Sequence, residues 1–313
     1  MPDVVTRADE LVSSFDALAD ALGEPARDRE LVRALAVCCG WGARDSGAPL
    51  LASGVRHGVP WGVSTAIGTR ELRVFVEPQS DPPAIEGYWR AAHDVASFAE
   101  AHGACLDRLR AITAELAPSV EVPYRLWFAA AFAAGRPTRW HAYLCIPPNR
   151  SALEALRRLD IAPPALRPRD RITIVSLDLA DSGRTKAYVL MPEAAYDDVS
   201  ALHDRASETV PEDVRVFGRA MLGDDRPIGW LACLGYAPGS ASPATCALHF
   251  SVARHAEQAI ARVRIRELVA ALALNGAGWE RACAALGDHH FVSFQRRDGT
   301  PRVTTYFMPR VRR

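Results

Sequence analysis

The sequence predicts an α+β fold in which ten antiparallel strands close into a barrel with helices outside. Five β-hairpins recur along the 313 residues, with turns near residues 69, 136, 182, 240 and 299, and helical periodicity fills every gap between them. Ten strands are too many for a flat twisted sheet but suit a closed barrel, which also leaves no exposed strand edge. We therefore expect one barrel domain over residues 1–313.

Helical and hairpin patterns alternate along the whole chain. Two apolar stripes separated by Gly23 and Pro25 predict a helix pair over residues 6–39. Further helices are expected over residues 84–116, 151–159, 193–222 and 255–286. The hairpins are expected over residues 60–78, 122–147, 172–191, 228–252 and 288–309.

The second strand of each hairpin carries polar and aromatic residues on one face. Because side chains alternate along a strand, residues two apart point the same way. In the third hairpin this rule places Arg184, Lys186 and Tyr188 together. The corresponding sets in the other hairpins are Glu71, Arg73, Phe75 and Glu77; Arg139, His141 and Tyr143; Ala247, His249 and Ser251; and Arg302, Thr304 and Tyr306.

These faces are expected to converge in the lumen of the barrel. Helices cover the outer face, so the inner face is free to be polar, and ten strands leave room for a ligand. Buried cations without an anionic partner are costly. The convergence of Arg73, Arg184 and Lys186 with His141 therefore predicts a lumenal active site for an anionic ligand.

Composition and charge exclude several other classes of protein. Lys and Arg number 37 and balance 37 Asp and Glu residues, so no overall field attracts nucleic acid or an anionic membrane. Seven cysteines without C-x-x-C spacing are typical of reduced residues in a cytoplasmic protein. The sequence contains neither a secretory signal nor an apolar run of 18 residues, so we expect no membrane association.

At the lumenal positions the sequence resembles a known enzyme family. The matching stretches are Leu72–Pro78, His141–Tyr143, Arg184–Tyr188, Ala247–His249 and Thr305–Pro309. They resemble the aromatic, indole-modifying prenyltransferases of the dimethylallyltryptophan synthase type, in the ABBA barrel superfamily, over residues 55–309. The resemblance implies that Arg73, Arg184 and Lys186 bind a diphosphate, with His141 where a second Lys is common. It also implies that Tyr143, Tyr188 and Tyr306 shield an allyl cation.

The activity implied is metal-independent transfer of a prenyl group in secondary metabolism. The donor would be an allylic diphosphate, dimethylallyl or longer, and the acceptor an electron-rich aromatic ring, an indole of a tryptophan-derived or peptide metabolite. Fixed Arg and Lys side chains can stabilise the leaving diphosphate without magnesium, so no cofactor is expected. The acidic pairs Asp197-Asp198 and Asp224-Asp225 fit helix ends or turns rather than a metal site.

One departure from the family concerns the acceptor. Family members that prenylate indole carry a Glu that holds the indole N–H, and Gly62 stands at that position here. The resemblance implies an acceptor pocket at Trp61, Gly62 and Phe75, with extra space beside the glycine. His141 and His249 remain as candidate catalytic bases, since an imidazole titrates near neutral pH.

Two other functions stay open on the sequence alone. The barrel could bind a prenylated or aromatic metabolite without catalysis, Gly62 being the lost catalytic position, or it could cyclise a terpenoid on the same fold. The acceptor, the length of the prenyl chain and the regiochemistry are not predicted.

Overall fold

The computed structural model describes most of the chain. The described residues are 6–24, 28–41, 61–79, 85–116, 126–146, 157, 161, 166–180, 183–210, 212–223 and 228–308. Most of the helix expected over residues 151–159 lies outside them, as do the turn residues Asp181 and Ser182 and the pair Asp224-Asp225.

Ten strands form one closed antiparallel barrel, as the sequence predicts. Each strand pairs with its neighbours in chain order, and β1 closes the barrel on β10. The strands are β1 (Trp61–Ala66), β2 (Leu72–Val76), β3 (Leu126–Phe132), β4 (Arg139–Cys145), β5 (Arg171–Asp178), β6 (Thr185–Ala194), β7 (Ile228–Tyr236), β8 (Thr245–Ser251), β9 (His289–Arg297) and β10 (Thr300–Phe307).

Strand β6 runs three residues beyond the predicted end at Met191. Pro192 has no N–H to give to the strand ladder, which would normally end a strand. The register with β7 shifts between Met191 and Ala194, and Glu193 adopts a left-handed φ of 50°. This irregularity carries the strand past the proline, as a bulge does.

In the described part of the chain, helices precede the first hairpin and lie in three of the four gaps between hairpins. They are α1 (Arg7–Leu22), α2 (Arg29–Cys38), α3 (Ile85–Ala101), α4 (Asp107–Leu116), α5 (Tyr196–His203), α6 (Glu212–Leu222), α7 (Val252–His255), α8 (Gln258–Ala271) and α9 (Ala277–Leu286). A capping box between Thr6 and Asp9 starts α1, and Gly23 ends it with a φ of 71°. Among the described residues, no helix is both long enough and apolar enough to cross a membrane.

The main apolar core lies between the helices and the outer face of the barrel. The stripe predicted in α1 is Leu11, Phe15, Leu18 and Leu22; the first three are buried in the core and Leu22 is partly buried against it. Alternate strand residues such as Val74 and Val189 are fully buried in the same core. Because these residues point outward, their neighbours in each strand point into the lumen.

Candidate active site

Two cavities share the lumen of the barrel. Each has a volume of about 230 Å³. One is lined mainly by charged and polar residues, and the other by aromatic and aliphatic residues. Tyr188, His249 and Tyr306 line both, so the two cavities meet at these three rings. We call them the polar cavity and the apolar cavity.

The polar cavity has a large excess of positive charge. Among its described lining residues, six are cationic: Arg73, Arg139, Arg184, Lys186, Arg297 and Arg302. The carboxylates lining it are those of Glu71 and Asp178. Arg184 is exposed at the rim, whereas Arg73 lies deeper and is 17% exposed. An excess of this size, partly removed from water, favours a multiply charged anion.

Glu71 holds three of these cations. Its carboxylate accepts a hydrogen bond from Arg73 at 2.9 Å and also one from Arg139, and Arg302 lies 3.3 Å from the oxygen that Arg73 contacts. Burial acts to raise the pKa of Glu71, but the three guanidinium groups outweigh it and lower the pKa. Glu71 is therefore ionised at neutral pH.

Burial and mutual repulsion disfavour further positive charge in this cavity. Burial lowers the pKa of Lys186, and Arg73 lowers it further. Burial, Arg73 and Lys186 hold the pKa of His141 well below its usual range. For His249, burial with Lys186 and Arg73 lowers the pKa to about 3. Both imidazoles are consequently neutral at pH 7, and each can donate one N–H and accept at the other nitrogen.

Two buried nitrogen atoms of residues that line the polar cavity lack a hydrogen-bond partner among the described residues. They are Arg73 Nε and His141 Nε2. A buried donor without a partner costs about 1–3 kcal/mol, so such atoms normally find an acceptor. An oxygen-rich anion in the polar cavity would supply acceptors to these residues.

Five aromatic rings form a closed circle where the two cavities meet. They are Phe75, Tyr143, Tyr188, His249 and Tyr306, and each comes from the second strand of a different hairpin. Successive ring centroids around the circle lie 5.9, 6.2, 5.6, 6.0 and 5.7 Å apart. We call this circle the aromatic girdle.

The phenols of the girdle stay neutral. Burial raises the pKa of Tyr143 to about 12 and also raises the pKa values of Tyr188 and Tyr306. Neutral aromatic faces stabilise a nearby cation without competing for it as nucleophilic phenolates would. The girdle is therefore suited to surround a carbocation.

The apolar cavity has no carboxylate among its described lining residues. Trp127, Ile174, Leu231 and Phe291 contribute to its apolar wall, and Arg254 is its single charged lining residue in the described part of the chain. Such a cavity accommodates a flat hydrophobic or aromatic group. Gly62, which the resemblance places at the position of the indole-holding Glu, lines this cavity.

The structure corrects two expectations about the acceptor pocket. Gly62 and Phe75 line the apolar cavity, but Trp61 points the other way and is buried in the outer core. The two neighbours differ because strand residues alternate faces. The space expected beside Gly62 is partly filled, since a Cβ atom there would lie 3.5 Å from Met308 Cγ and 3.0 Å from the carbonyl oxygen of Phe307.

Apart from Trp61, the structure brings every predicted site residue to the lumen. Arg73, His141, Arg184 and Lys186 line the polar cavity, and Tyr143 lines the apolar one. The predicted site did not include Glu71, Arg139, Asp178, Arg297 and Arg302. For Glu71, Arg139 and Arg302 the signal was present, because each shares a strand face with a predicted residue.

Among the described residues, no group of three or more His, Cys, Asp or Glu side chains is arranged to hold a metal ion. In the described part of the chain, Asp198 accepts a hydrogen bond from the backbone N–H of Ala195 at the start of α5. Asp197 pairs with Arg215 on α6. These contacts fit the helix-end role that the sequence predicts for this acidic pair.

Comparisons with known proteins identify the fold. No protein-family profile and no curated protein sequence matches the chain. Among solved structures, 6-dimethylallyltryptophan synthase from Micromonospora olivasterospora in complex with DMASPP and Trp is 22% identical, with a TM-score of 0.85 over 98% of both chains.

Two further structures agree. The 5-dimethylallyltryptophan synthase from Streptomyces coelicolor, also with DMASPP and Trp, is 23% identical, with a TM-score of 0.83 over 99% of this chain and 96% of that one. The prenyltransferase PriB, with L-tryptophan and dimethylallyl thiolodiphosphate, is 22% identical, with a TM-score of 0.83 over 97% and 96%. This chain therefore has the ten-stranded ABBA barrel fold of the dimethylallyltryptophan synthases.

Proposed function

We propose that this protein is an aromatic prenyltransferase, which transfers a prenyl group from an allylic diphosphate to an electron-rich aromatic acceptor. The observation that carries the proposal is the aromatic girdle, which lies between a cationic cavity and an apolar one. A diphosphate in the first and an aromatic ring in the second would place the allyl group inside the circle of rings. The solved structures of similar fold that contain DMASPP and Trp support the same assignment.

The polar cavity binds the diphosphate in this proposal. Arg73, Arg184 and Lys186 supply positive charge, and the unpartnered Nε2 of His141 supplies a neutral donor. The C–O bond of the donor breaks, and its electron pair leaves with the diphosphate. Fixed cations stabilise this developing charge without reorganisation, which accounts for about 10²–10³ in rate per donor.

The girdle then protects the allyl cation. The faces of Tyr143, Tyr188 and Tyr306 stabilise the positive charge and exclude the water that would trap it. An aromatic carbon of the acceptor attacks the cation from the apolar cavity, in a Friedel-Crafts reaction. Rearomatisation requires one proton to leave that carbon.

His249 is the better placed of the two candidate bases. It lines both cavities, whereas His141 lines only the polar cavity. Its low pKa in the ligand-free protein arises from burial and from Lys186 and Arg73. A bound diphosphate offsets the charge of those two cations, so the imidazole becomes more basic when the donor is present. We assign proton removal to His249 and diphosphate binding to His141.

The acceptor that we propose is an indole of a tryptophan-derived or peptide secondary metabolite. The described lining residues offer no carboxylate to the indole N–H. Binding of the acceptor therefore relies on contacts with the apolar wall of the cavity. Metal ions are unnecessary in this scheme because Arg and Lys neutralise the diphosphate. A cytoplasmic location is in keeping with seven free cysteines.

The test is product analysis with a panel of indoles and two or three allylic diphosphates, without added metal. Mass spectrometry should detect an acceptor that has gained one prenyl group, together with stoichiometric release of diphosphate. Acceptor binding without diphosphate release under all conditions would support a non-catalytic binding barrel instead. Diphosphate release with a cyclised prenyl product and unchanged acceptor would identify a terpenoid cyclase.

A further inference from the structure

Three arginines from three different strands converge on the carboxylate of Glu71. Arg73 on β2 donates to Oε1 at 2.9 Å, and Arg302 on β10 lies 3.3 Å from the same oxygen. Arg139, the first residue of β4, donates to Oε2. The side chain of Glu71 is only 14% exposed. One carboxylate therefore joins the second strands of three hairpins at the polar cavity.

This carboxylate uses the same donors that a diphosphate would use. Guanidinium groups bind carboxylate and phosphate oxygens with the same planar geometry. Glu71 is ionised at neutral pH, as its contacts with the three arginines require. A diphosphate that enters the cavity therefore meets arginines that are already held in place, and also a negative charge that repels it.

We propose that Glu71 is a resident counter-ion, which positions Arg73, Arg139 and Arg302 and promotes release of the diphosphate product. This inference rests on the proposed function, because it requires a diphosphate in the polar cavity. Glu71 acts through the arginines and is a positioning residue. In the ligand-free cavity its charge holds the arginines together, and after transfer it weakens the hold on the departing anion.

Asp178 provides a comparison within the same cavity. It lines the polar cavity but has no ion pair with a described residue. Burial raises its pKa, although Arg139 and Lys186 act in the opposite direction. Removal of this carboxylate changes the charge of the cavity without releasing the three arginines. A comparison of variants at Asp178 and Glu71 therefore separates the effect of net charge from the effect of arginine positioning.

The experiment measures the affinity of the full-length protein for inorganic diphosphate by calorimetry, together with kcat and the KM of the donor. Glu71→Gln should bind inorganic diphosphate about 10-fold more tightly, because one nearby repulsive charge is gone. Its kcat should fall while the KM of the donor also falls, since slower release limits turnover. Glu280→Gln, at an exposed ion pair with Arg266 on the outer helices, is the matched control and should change neither value.

Two further variants complete the design. Asp178→Asn should tighten diphosphate binding less than Glu71→Gln, because its carboxylate contacts none of the three arginines. Glu71→Asp keeps the charge, so its affinity for diphosphate should stay within about threefold of the wild type while kcat falls. Glu71→Asp also tests the inference if Glu71→Gln does not fold. A tenfold gain in the affinity of Glu71→Asp for inorganic diphosphate would overturn it.

The outcomes separate this inference from the proposed function. If wild-type protein binds inorganic diphosphate and Glu71→Gln binds it equally or less tightly, the counter-ion role is refuted and the proposed function stands. An equal gain in Glu71→Gln and Asp178→Asn would mean that net charge alone matters, which also refutes the role. If the wild type does not bind diphosphate at all, the proposed function itself is wrong.

Discussion

Replacement of Lys186 by methionine should abolish most of the activity without lowering the stability of the fold. Lys186 lies on the lumenal face of β6 and lines the polar cavity. A unit charge about 4 Å from a diphosphate oxygen, at an effective dielectric constant of about 20, contributes about 4 kcal/mol. At about 1.4 kcal/mol per tenfold change in rate, this corresponds to a loss of about 1000-fold. Loss of one fixed donor at other active sites, about 100- to 1000-fold, agrees with this scale.

The stability of the same variant should move in the opposite direction. The pKa of Lys186 is lowered by burial and by Arg73, so the folded state binds its proton less well than the unfolded state does. The ammonium charge therefore destabilises the fold at neutral pH, and this cost fades as the pH rises toward the pKa of the unfolded lysine. A methionine of similar length removes the charge, so we expect the melting temperature to stay the same or to rise.

The assay measures kcat/KM with dimethylallyl diphosphate and the best acceptor, and melting temperature by differential scanning fluorimetry. Lys186→Arg retains the charge and should keep more activity than Lys186→Met. Arg184→Met should cost only about 10-fold, since Arg184 is exposed at the rim and solvent screens its charge. Unchanged turnover in Lys186→Met would refute the diphosphate assignment. A clear fall in melting temperature together with the loss of activity would indicate that Lys186 supports the fold instead.

Three other predictions concern the metal, the acceptor and the pH response. Turnover should persist in excess EDTA, because arginine and lysine neutralise the diphosphate; complete loss that magnesium restores would refute this. Gly62→Glu alone should lower activity, since the side chain of Met308, whose Cγ would lie 3.5 Å from the new Cβ atom, fills the space that the glutamate needs. The double variant with Met308→Ala should bind simple indoles more tightly, measured by the KM for tryptophan, whereas equal losses in both variants would show that position 62 is only a tight backbone site. Acidification from pH 6.5 toward 3 should destabilise the protein through His249, whose pKa falls to about 3 on folding, by up to about 1.4 kcal/mol per pH unit. His249→Phe should flatten this slope in chemical denaturation experiments, and an unchanged slope would contradict the assigned burial.

The fold was predictable because its signals are local. Each hairpin turn and each helix shows in a short stretch of sequence, and the number of hairpins then requires closure. β7 begins at Ile228, where the fourth hairpin was predicted to start. The extension of β6 was not predictable, because the irregularity at Pro192 and Glu193 depends on pairing with β7, 34 or more residues further on.

The sequence predicted which strand faces point into the lumen, but not which side chains contact each other there. Alternation alone places Arg73, Arg139 and Arg302 on lumenal faces, and the structure confirms this placement. Their shared contacts with Glu71 depend on the strand register across the barrel. This register brings Arg73 and Arg139 opposite the same residue, Ala131 of β3. A single sequence does not encode that register in any short pattern.

The filled space beside Gly62 has a similar explanation. The absence of a side chain at a lumenal position predicts room for a ligand, but only if no other side chain enters it. Met308 follows directly after β10, which pairs with β1, and its flexible chain packs over the glycine. The outward direction of Trp61 was available from alternation, since its neighbour Gly62 was already placed inside.

Small residues on the first strand of each hairpin leave space for the functional side chains on the second strand. At the level of the aromatic girdle, each first strand contributes one small residue to the sheet: Ser64, Ala129, Ser176, Cys233 and Ser293. Each lies opposite one ring of the girdle on an adjacent strand, as Ser176 lies opposite Tyr143. Small residues on alternate strands leave the lumen open and let the large side chains between them turn toward each other. Large residues on all ten strands would fill a barrel of this size with a packed core. The repeat therefore specifies the cavity and the girdle together, with space supplied by one strand of each hairpin and functional groups by the other.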